Sequence, residues 1–152
     1  MKSLIIYYST YRKNTEKIAQ LFAEKLGCEL INIKNTDDVS IDGYDLIGFG
    51  SGIYKESLSP KLFKLVEDLD VKDKNVFVFS TSGVGMKFYN HKLVRLLESK
   101  EAIIKGNFAC KGSFTARDFS NNKIFDIFGK FSQGHPNTKD FKNAEEFIKN
   151  II

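Results

Sequence analysis

Apolar residues in this chain fall into short continuous runs, separated by stretches with helical spacing. Leu4–Tyr8 is the first run and Leu30–Ile33 a weaker second. Asp45–Gly50, Val76–Ser80 and Ile103–Cys110 follow. Runs that are continuous rather than alternating suit strands covered on both faces, as in a parallel sheet. Between them lie amphipathic segments. Asn14–Leu26 carries Ile18, Leu21, Phe22 and Leu26 close to a helical period, and Gly27 stands where a helix C-terminus favours glycine. Pro60–Leu69 begins with proline at the first helical position after Ser59 as N-cap. Lys87–Leu97 has Leu93, Val94 and Leu97 as its stripe, and Thr138–Ile152 has Phe141, Ala144, Phe147, Ile148 and Ile151. Val39–Tyr44 reads as a connection. This alternation predicts a three-layer, doubly wound α/β fold with five parallel strands and right-handed crossovers, in one domain over residues 1–152.

The stretch Lys111–Asn137 breaks the pattern. It holds Phe114, Phe119, Phe125, Phe128 and Phe131 among glycines, asparagines and the basic residues Lys111, Arg117, Lys123 and Lys130. Ile124–Phe131 has the spacing of a short helix. A loop of this length is usually functional or disordered, and its aromatics argue against disorder. Two readings stay open. One is an elaborated fifth strand with its own small core. The other is a surface that covers a ligand or meets an acidic partner.

Composition narrows the class. Hydrophobic residues make up 42% and charged residues 28% of 152, which suits a globular chain and not a disordered one. No apolar run approaches the ~18 residues that span a bilayer. The run after Met1–Lys2 is too short for a signal segment, so a cytoplasmic location is expected. Cys28 and Cys110 lie in different segments with no C-x-x-C, and both are expected to be buried small apolar residues. His91 and His135 are far apart, so no metal site is expected. The net charge of +4 is uneven. Residues 1–70 carry nine basic and eleven acidic side chains, and residues 71–152 carry fourteen and eight. Solvated lysines explain this, and so does an anionic partner met by the second half. The basic residues are not clustered tightly enough for nucleic acid.

In an open parallel sheet, ligands bind beyond the carboxyl ends of the strands. Three strand ends carry suitable residues. Ser9-Thr10-Tyr11-Arg12-Lys13-Asn14-Thr15 leads from strand to helix, where backbone N–H groups and the helix dipole favour an anion. Ser9, Thr10, Asn14 and Thr15 add donors, and Arg12 and Lys13 add charge; ordinary N-capping by Asn14 or Thr15 is compatible with that role. Gly50-Ser51-Gly52-Ile53-Tyr54 lets backbone approach a flat ligand, with Tyr54 able to stack on it and Ile53 to pack at its edge. A tight turn with a surface tyrosine is the plainer reading. Ser80-Thr81-Ser82-Gly83-Val84-Gly85 is the third loop. There is no G-x-x-x-x-G-K-[ST], no G-x-G-x-x-G after the first strand and no G-x-S-x-G elbow. No catalytic side chain is therefore singled out.

These pieces resemble the flavodoxin-like family, and more narrowly its prokaryotic flavodoxin family proteins. They are Ser9 with Asn14-Thr15-Glu16-Lys17-Ile18-Ala19, Tyr44 to Tyr54, Phe79-Ser80-Thr81-Ser82-Gly83, Asn90-His91-Lys92, Cys110-Lys111-Gly112 and Gly134-His135-Pro136-Asn137, in order along nearly the whole chain. The resemblance implies strand order 2-1-3-4-5, FMN as cofactor, its phosphate at Ser9–Thr15, and its isoalloxazine between Gly50–Tyr54 and Ser80–Gly85. The cofactor contacts it implies include Ser51, Gly52, Ile53, Tyr54, Thr81, Ser82, Gly83, Val84 and Gly85. The chain departs from the family in having Lys13 where glycine is usual, in lacking an aromatic at Ser82–Val84, and in a sequence pI near 8.9 where typical flavodoxins are acidic.

The function so implied is an FMN-dependent electron carrier between redox partner proteins, monomeric or weakly dimeric. An FMN-dependent reductase of a quinone, porphyrinogen or similar small molecule is the alternative. An interaction module without flavin is a third class, and Lys13 is its best support.

Overall fold

Five parallel strands lie side by side, and the three central ones are apolar on both faces and have to be covered twice, while the edge strands are only partly buried. The computed structural model describes residues 1–9, 14–112 and 136–152. Its elements run β1 (Ser3–Tyr8), α1 (Asn14–Leu26), β2 (Glu29–Asn32), β3 (Leu46–Tyr54), β4 (Ser57–Leu58), α2 (Pro60–Asp68), β5 (Asn75–Ser82), a 3₁₀ turn (Lys87–Asn90), α3 (His91–Ser99), β6 (Ile103–Lys111) and α4 (Thr138–Ile151). The parallel strands are ordered β2-β1-β3-β5-β6, and the two-residue β4 pairs antiparallel with the end of β3. Counting the parallel strands alone, this is the expected 2-1-3-4-5.

Alternation within each strand feeds two cores. Leu4, Ile6, Ile47, Phe49, Val76 and Val78 face α2 and α3. Ile5, Tyr7, Phe77, Phe79 and Phe108 face α1 and α4. On the second face, Phe22 of α1 is fully buried. Its ring lies edge-on to Phe77, Phe79 and Phe108 at 5.5, 5.2 and 5.8 Å between centroids. Phe147 of α4 joins the same group at 5.9 Å from Phe22.

Several boundaries differ from those read in the sequence. The second strand is Glu29–Asn32, and Ile33 instead caps it by donating its N–H to the Tyr7 carbonyl at 2.8 Å. β3 and β5 each continue past their apolar runs through small polar residues, because their neighbours still offer ladder partners. The segment Lys87–Leu97 splits into the 3₁₀ turn and α3. Buried Asn90 stands at the junction, where its Nδ2 donates to Asn107 Oδ1 and to the Phe108 carbonyl, each at 3.0 Å. Ser59 caps α2 by accepting from the Lys61 N–H at 3.2 Å, with Pro60 first in the helix, as its sequence predicts. Gly27, with φ of +62°, follows α1. Cys110 is buried, but Cys28 is half-buried because it follows Gly27 at the amino edge of the sheet. The Phe-rich segment, with Phe114, Phe119, Phe125, Phe128, Phe131 and the expected helix Ile124–Phe131, lies outside the described residues.

Gly50 in β3 shows how tightly the aromatic face is set. A Cβ there would run into the ring of Phe79, which lies over the strand. Gly50→Ala is therefore expected to destabilise the fold by about 1–3 kcal/mol, as overpacked cores do. Phe79→Leu in the same chain should recover part of that loss. Urea unfolding of the three variants checks it, and an unchanged midpoint for Gly50→Ala contradicts it.

Candidate functional site

The three loops singled out in the sequence sit at the carboxyl ends of β1, β3 and β5, which are adjacent in the sheet. At the end of β1, Ser9 is buried and its carbonyl accepts from Asn32 Nδ2 at 3.2 Å. Thr10, Arg12 and Lys13 lie outside the described residues. Helix α1 opens at Asn14, which puts its N-terminus at this end. Thr15 is buried, and its hydroxyl lies 2.8 Å from the Thr81 hydroxyl, so either can donate. That bond ties the first loop to the third across 66 residues of sequence. Glu16 puts a carboxylate in the same first turn. The Tyr7 hydroxyl donates to its Oε1 at 2.7 Å, and burial together with this carboxylate pushes the phenol well above its ordinary range.

At the end of β3, Ser51 is fully buried. Its hydroxyl donates to the Gly52 carbonyl at 2.6 Å and accepts from the Ser59 N–H at 2.9 Å. Ser51 thus holds the start of α2 through its hydroxyl. Ile53 packs against the core on the α2–α3 side and pairs with Leu58. A Cβ at Gly52 would stand in ordinary van der Waals contact with Tyr54 and the Thr81 carbonyl, 3.8–3.9 Å away. Tyr54 is exposed, and its ring lies edge-on to Tyr8 at 5.9 Å. The next two residues, Lys55 and Glu56, have φ of 51° and 66° and turn the chain into β4. Two positive values in a two-residue hairpin describe a type I′ turn made without glycine or asparagine.

At the end of β5, Thr81 is buried, Ser82 and Gly83 are half-buried and Val84 is exposed. The Ser82 hydroxyl accepts from the Gly85 N–H at 2.7 Å. Gly85 has φ of +67°, and any side chain there would press on the backbone of Cys110–Lys111. The Gly112 N–H donates to the Ser82 carbonyl at 2.9 Å. A side chain at Gly112 would meet Asn14 at 2.8 Å, so the bare glycine leaves room for that asparagine. Tyr7–Glu16, Thr15–Thr81 and Gly112 beside Asn14 were not foreseen. Tyr7 and Glu16 are nine residues apart and the other two pairs are far apart in sequence, and no local pattern marks any of them.

The opposite edge of the sheet also has a hollow, of about 670 Å³, lined by Lys2, Cys28, Glu29, Tyr44 and Asp45 among others. Its polar groups serve one another. Tyr44 donates to Glu29 at 3.0 Å, the Lys2 N–H donates to Asp45 at 2.8 Å, and the Lys2 ammonium lies 4.6 Å from the centre of the Tyr44 ring. The carboxyl end, with three small-residue loops and a helix N-terminus, is the better ligand site.

A family model described as Flavodoxin domain matches residues 5–115. The chain belongs to the flavodoxin family. An uncharacterized protein of Methanocaldococcus jannaschii is 42% identical over 154 residues, covering all of this flavodoxin-family chain and 99% of its own. Among solved structures, a flavodoxin from the domain Archaea matches with a TM-score of 0.69 at 16% identity, covering 99% of this chain and 96% of that one. The rubredoxin oxygen:oxidoreductase of the anaerobe Desulfovibrio gigas matches with the same TM-score and identity, over 99% of this chain and 35% of its own. These two likenesses establish the fold. Among the described residues, no helix of this flavodoxin-family chain is long and apolar enough to cross a membrane.

Two outcomes follow for this flavodoxin-family chain. Lys55 and Glu56 each hold a left-handed conformation that costs an L residue about 1 kcal/mol or more. Lys55→Asn with Glu56→Gly should raise the unfolding free energy by at least that amount, read by urea titration, and no gain would argue against strain in the turn. The second outcome concerns alkaline pH. Burial pushes the thiol of Cys110 up to about 12 and that of Cys28 to about 11, and Tyr7 is raised further. The unfolded chain releases these protons near the ordinary values of 9 and 10, while the folded chain keeps them. The stability contributed by these three groups should be constant below about pH 8.5 and fall as pH rises toward 12. Cys110→Ala together with Tyr7→Phe should flatten that fall. An unchanged slope in denaturant midpoints would contradict it.

Proposed function

We propose that the chain works as one flavodoxin-like domain that binds FMN at the carboxyl end of its sheet and carries electrons between partner proteins. The observation that carries this reading is the Thr15–Thr81 hydrogen bond of 2.8 Å. It locks the N-terminus of α1 against the end of β5, so an anion site and a small-residue loop face one opening. FMN has a phosphate at one end and a flat ring at the other, and the residues present suit both. The N-terminus of α1, Asn14 and the segment Ser9–Thr15 with Thr10, Arg12 and Lys13 would hold the phosphate. Glu16 is the one acid in the first turn of α1, and its bond from Tyr7 holds that carboxylate in place. Gly52, Ile53 and Tyr54 would flank the ring on one side and Thr81, Ser82, Gly83, Val84 and Gly85 on the other. Ser51 supports the loop and is not proposed as a contact.

The bound flavin supplies the redox chemistry, so no side chain is needed as a catalytic group. The chain's task is to hold the cofactor, exclude water from its inner edge and leave its outer edge within reach. Exposed Tyr54, Val84 and Phe88 around the opening favour carriage of electrons to another protein over turnover in a closed pocket.

The test is direct. The purified chain should bind FMN, with the flavin absorption bands of a bound cofactor, and failure to bind it in a fluorescence titration removes the reading. Asn14→Ala with Thr15→Ala should weaken binding tenfold or more, roughly 1.4 kcal/mol. Thr81→Val breaks the tie to Thr15 without touching the helix N-terminus and should cost less. Turnover of NAD(P)H with a quinone, with no second protein added, would favour the reductase instead.

A further inference from the structure

The described surface has seven large hydrophobic side chains that are strongly exposed, and four gather at the proposed FMN opening. Tyr54 is 39% exposed, Val84 56%, Met86 49% and Phe88 64%. The others, Met1, Ile103 and Ile152, are at chain ends or at the start of an edge strand. The four are neighbours through the elements that carry them. The 3₁₀ turn with Phe88 packs against β4, which is joined to Tyr54 by the Lys55–Glu56 hairpin, and Val84 and Met86 lead into that turn. Clustered exposed apolar side chains mark an interaction surface, whereas isolated ones need no explanation.

The charge in the segments that carry this patch is mostly positive. Residues 83–97 hold Lys87, Lys92 and Arg95 and no aspartate or glutamate. Lys55, Lys87 and Lys92 are exposed, and their ammonium groups meet no carboxylate among the described residues. The stem of Lys111 lies against Gly85, within 3.2 Å of where a side chain there would begin. Glu56 is the one carboxylate in these segments. An apolar centre ringed by unpaired cations is complementary to a surface with an apolar centre and a carboxylate rim.

We propose that this face docks an acidic electron-transfer protein, with Tyr54, Val84, Met86 and Phe88 at the centre of the contact and Lys55, Lys87 and Lys92 steering it. The proposal rests on the FMN reading for the purpose of the contact. Its geometry stands on the surface alone, and binding can be measured apart from electron transfer.

The experiment uses the full chain, with and without FMN, and two probes: an acidic plant-type ferredoxin and a basic c-type cytochrome. Dissociation constants are read by NMR chemical-shift titration at low salt and at about 0.15 M, where exposed charges are screened beyond roughly 8 Å. Ferredoxin should bind more tightly than the cytochrome, and the difference should shrink with salt. Lys87→Glu with Lys92→Glu should weaken ferredoxin binding at least tenfold at low salt. Lys142→Glu with Lys149→Glu changes net charge equally on exposed positions of α4 and should leave it within twofold. Phe88→Ser should weaken it at both salt concentrations. Equal losses from the two charge pairs would reduce the effect to net charge and overturn the proposal. Tighter binding of the cytochrome, or no effect of Lys87 and Lys92, would also overturn it. If the chain fails to bind FMN but ferredoxin binding depends on Lys87 and Lys92, the surface stands and the carrier reading falls. If FMN binds and the charge reversals are silent, the reverse holds.

Discussion

The seating of Phe22 among Phe77, Phe79, Phe108 and Phe147 is the contact from which the rest of the architecture follows. It joins α1 to β5 and β6, which are not its sequence neighbours, and brings α4 onto the same face. Rings packed edge-on in a buried cluster contribute about 0.5–1.5 kcal/mol per pair beyond the area they remove from water. Their bulk is accommodated because Gly48 and Gly50 in β3 leave room for Phe77 and Phe79. The sheet can therefore place large rings on one face without pushing the helix away. With α1 fixed so closely, its first turn lies against the end of β5, and Thr15 meets Thr81. The ligand opening is thus a consequence of core packing two turns further along the helix.

The same economy appears where β3 ends. Ser51 is committed to Ser59 and Gly52, while Tyr54, three residues on, is exposed beside Tyr8. One strand supplies both the internal tie that starts α2 and the outward face of the opening. β5 repeats the division, with Thr81 turned to α1 and the chain beyond Ser82 turning outward at Val84. The Ser80 hydroxyl, one residue before Thr81, is buried without a hydrogen-bond partner among the described residues. A donor left unsatisfied costs about 1–3 kcal/mol if it is not relieved. Small side chains here keep the sheet thin at the point where α2, the 3₁₀ turn and β4 come together.

Much of this was legible in the sequence. Strands buried on both faces appear as continuous apolar runs, so the five parallel strands stood out. Pro60 after Ser59 and Gly27 after Leu26 mark helix ends by a backbone requirement that needs no knowledge of the fold. What was missed has physical reasons. Ser57–Leu58 is too short to show a period, and its turn uses Lys55 and Glu56, which carry no turn signature. The break at Asn90 is set by bonds to Asn107 and Phe108 across the sheet, which helical spacing cannot foretell. Cys28 looked like core because cysteine is apolar, but its place just past the end of α1 leaves it at the rim. For the site, strand-end loops were legible as loops. Which hydroxyls they keep for themselves was not, since Ser51 and Ser82 differ from Gly52 and Val84 by where the sheet and its turns point them.

Charge adds a constraint that the backbone alone does not. An anion is favoured at the N-terminus of α1 whatever the partner, and nearby acids would oppose it. Glu16 is the exception in that turn, and it accepts a hydrogen bond from a tyrosine that burial keeps protonated. Beyond the first turn, the proposed phosphate asks for no positive field. Lys87 and Lys92 sit on the far side of the opening, on the 3₁₀ turn and α3, and have no carboxylate to neutralise among the described residues. Cations left unpaired beside exposed Phe88 and Met86 do little for the stability of the fold, since exposed charges contribute little and exposed apolar rings contribute less. Their placement is better explained by what approaches that face than by what lies beneath it.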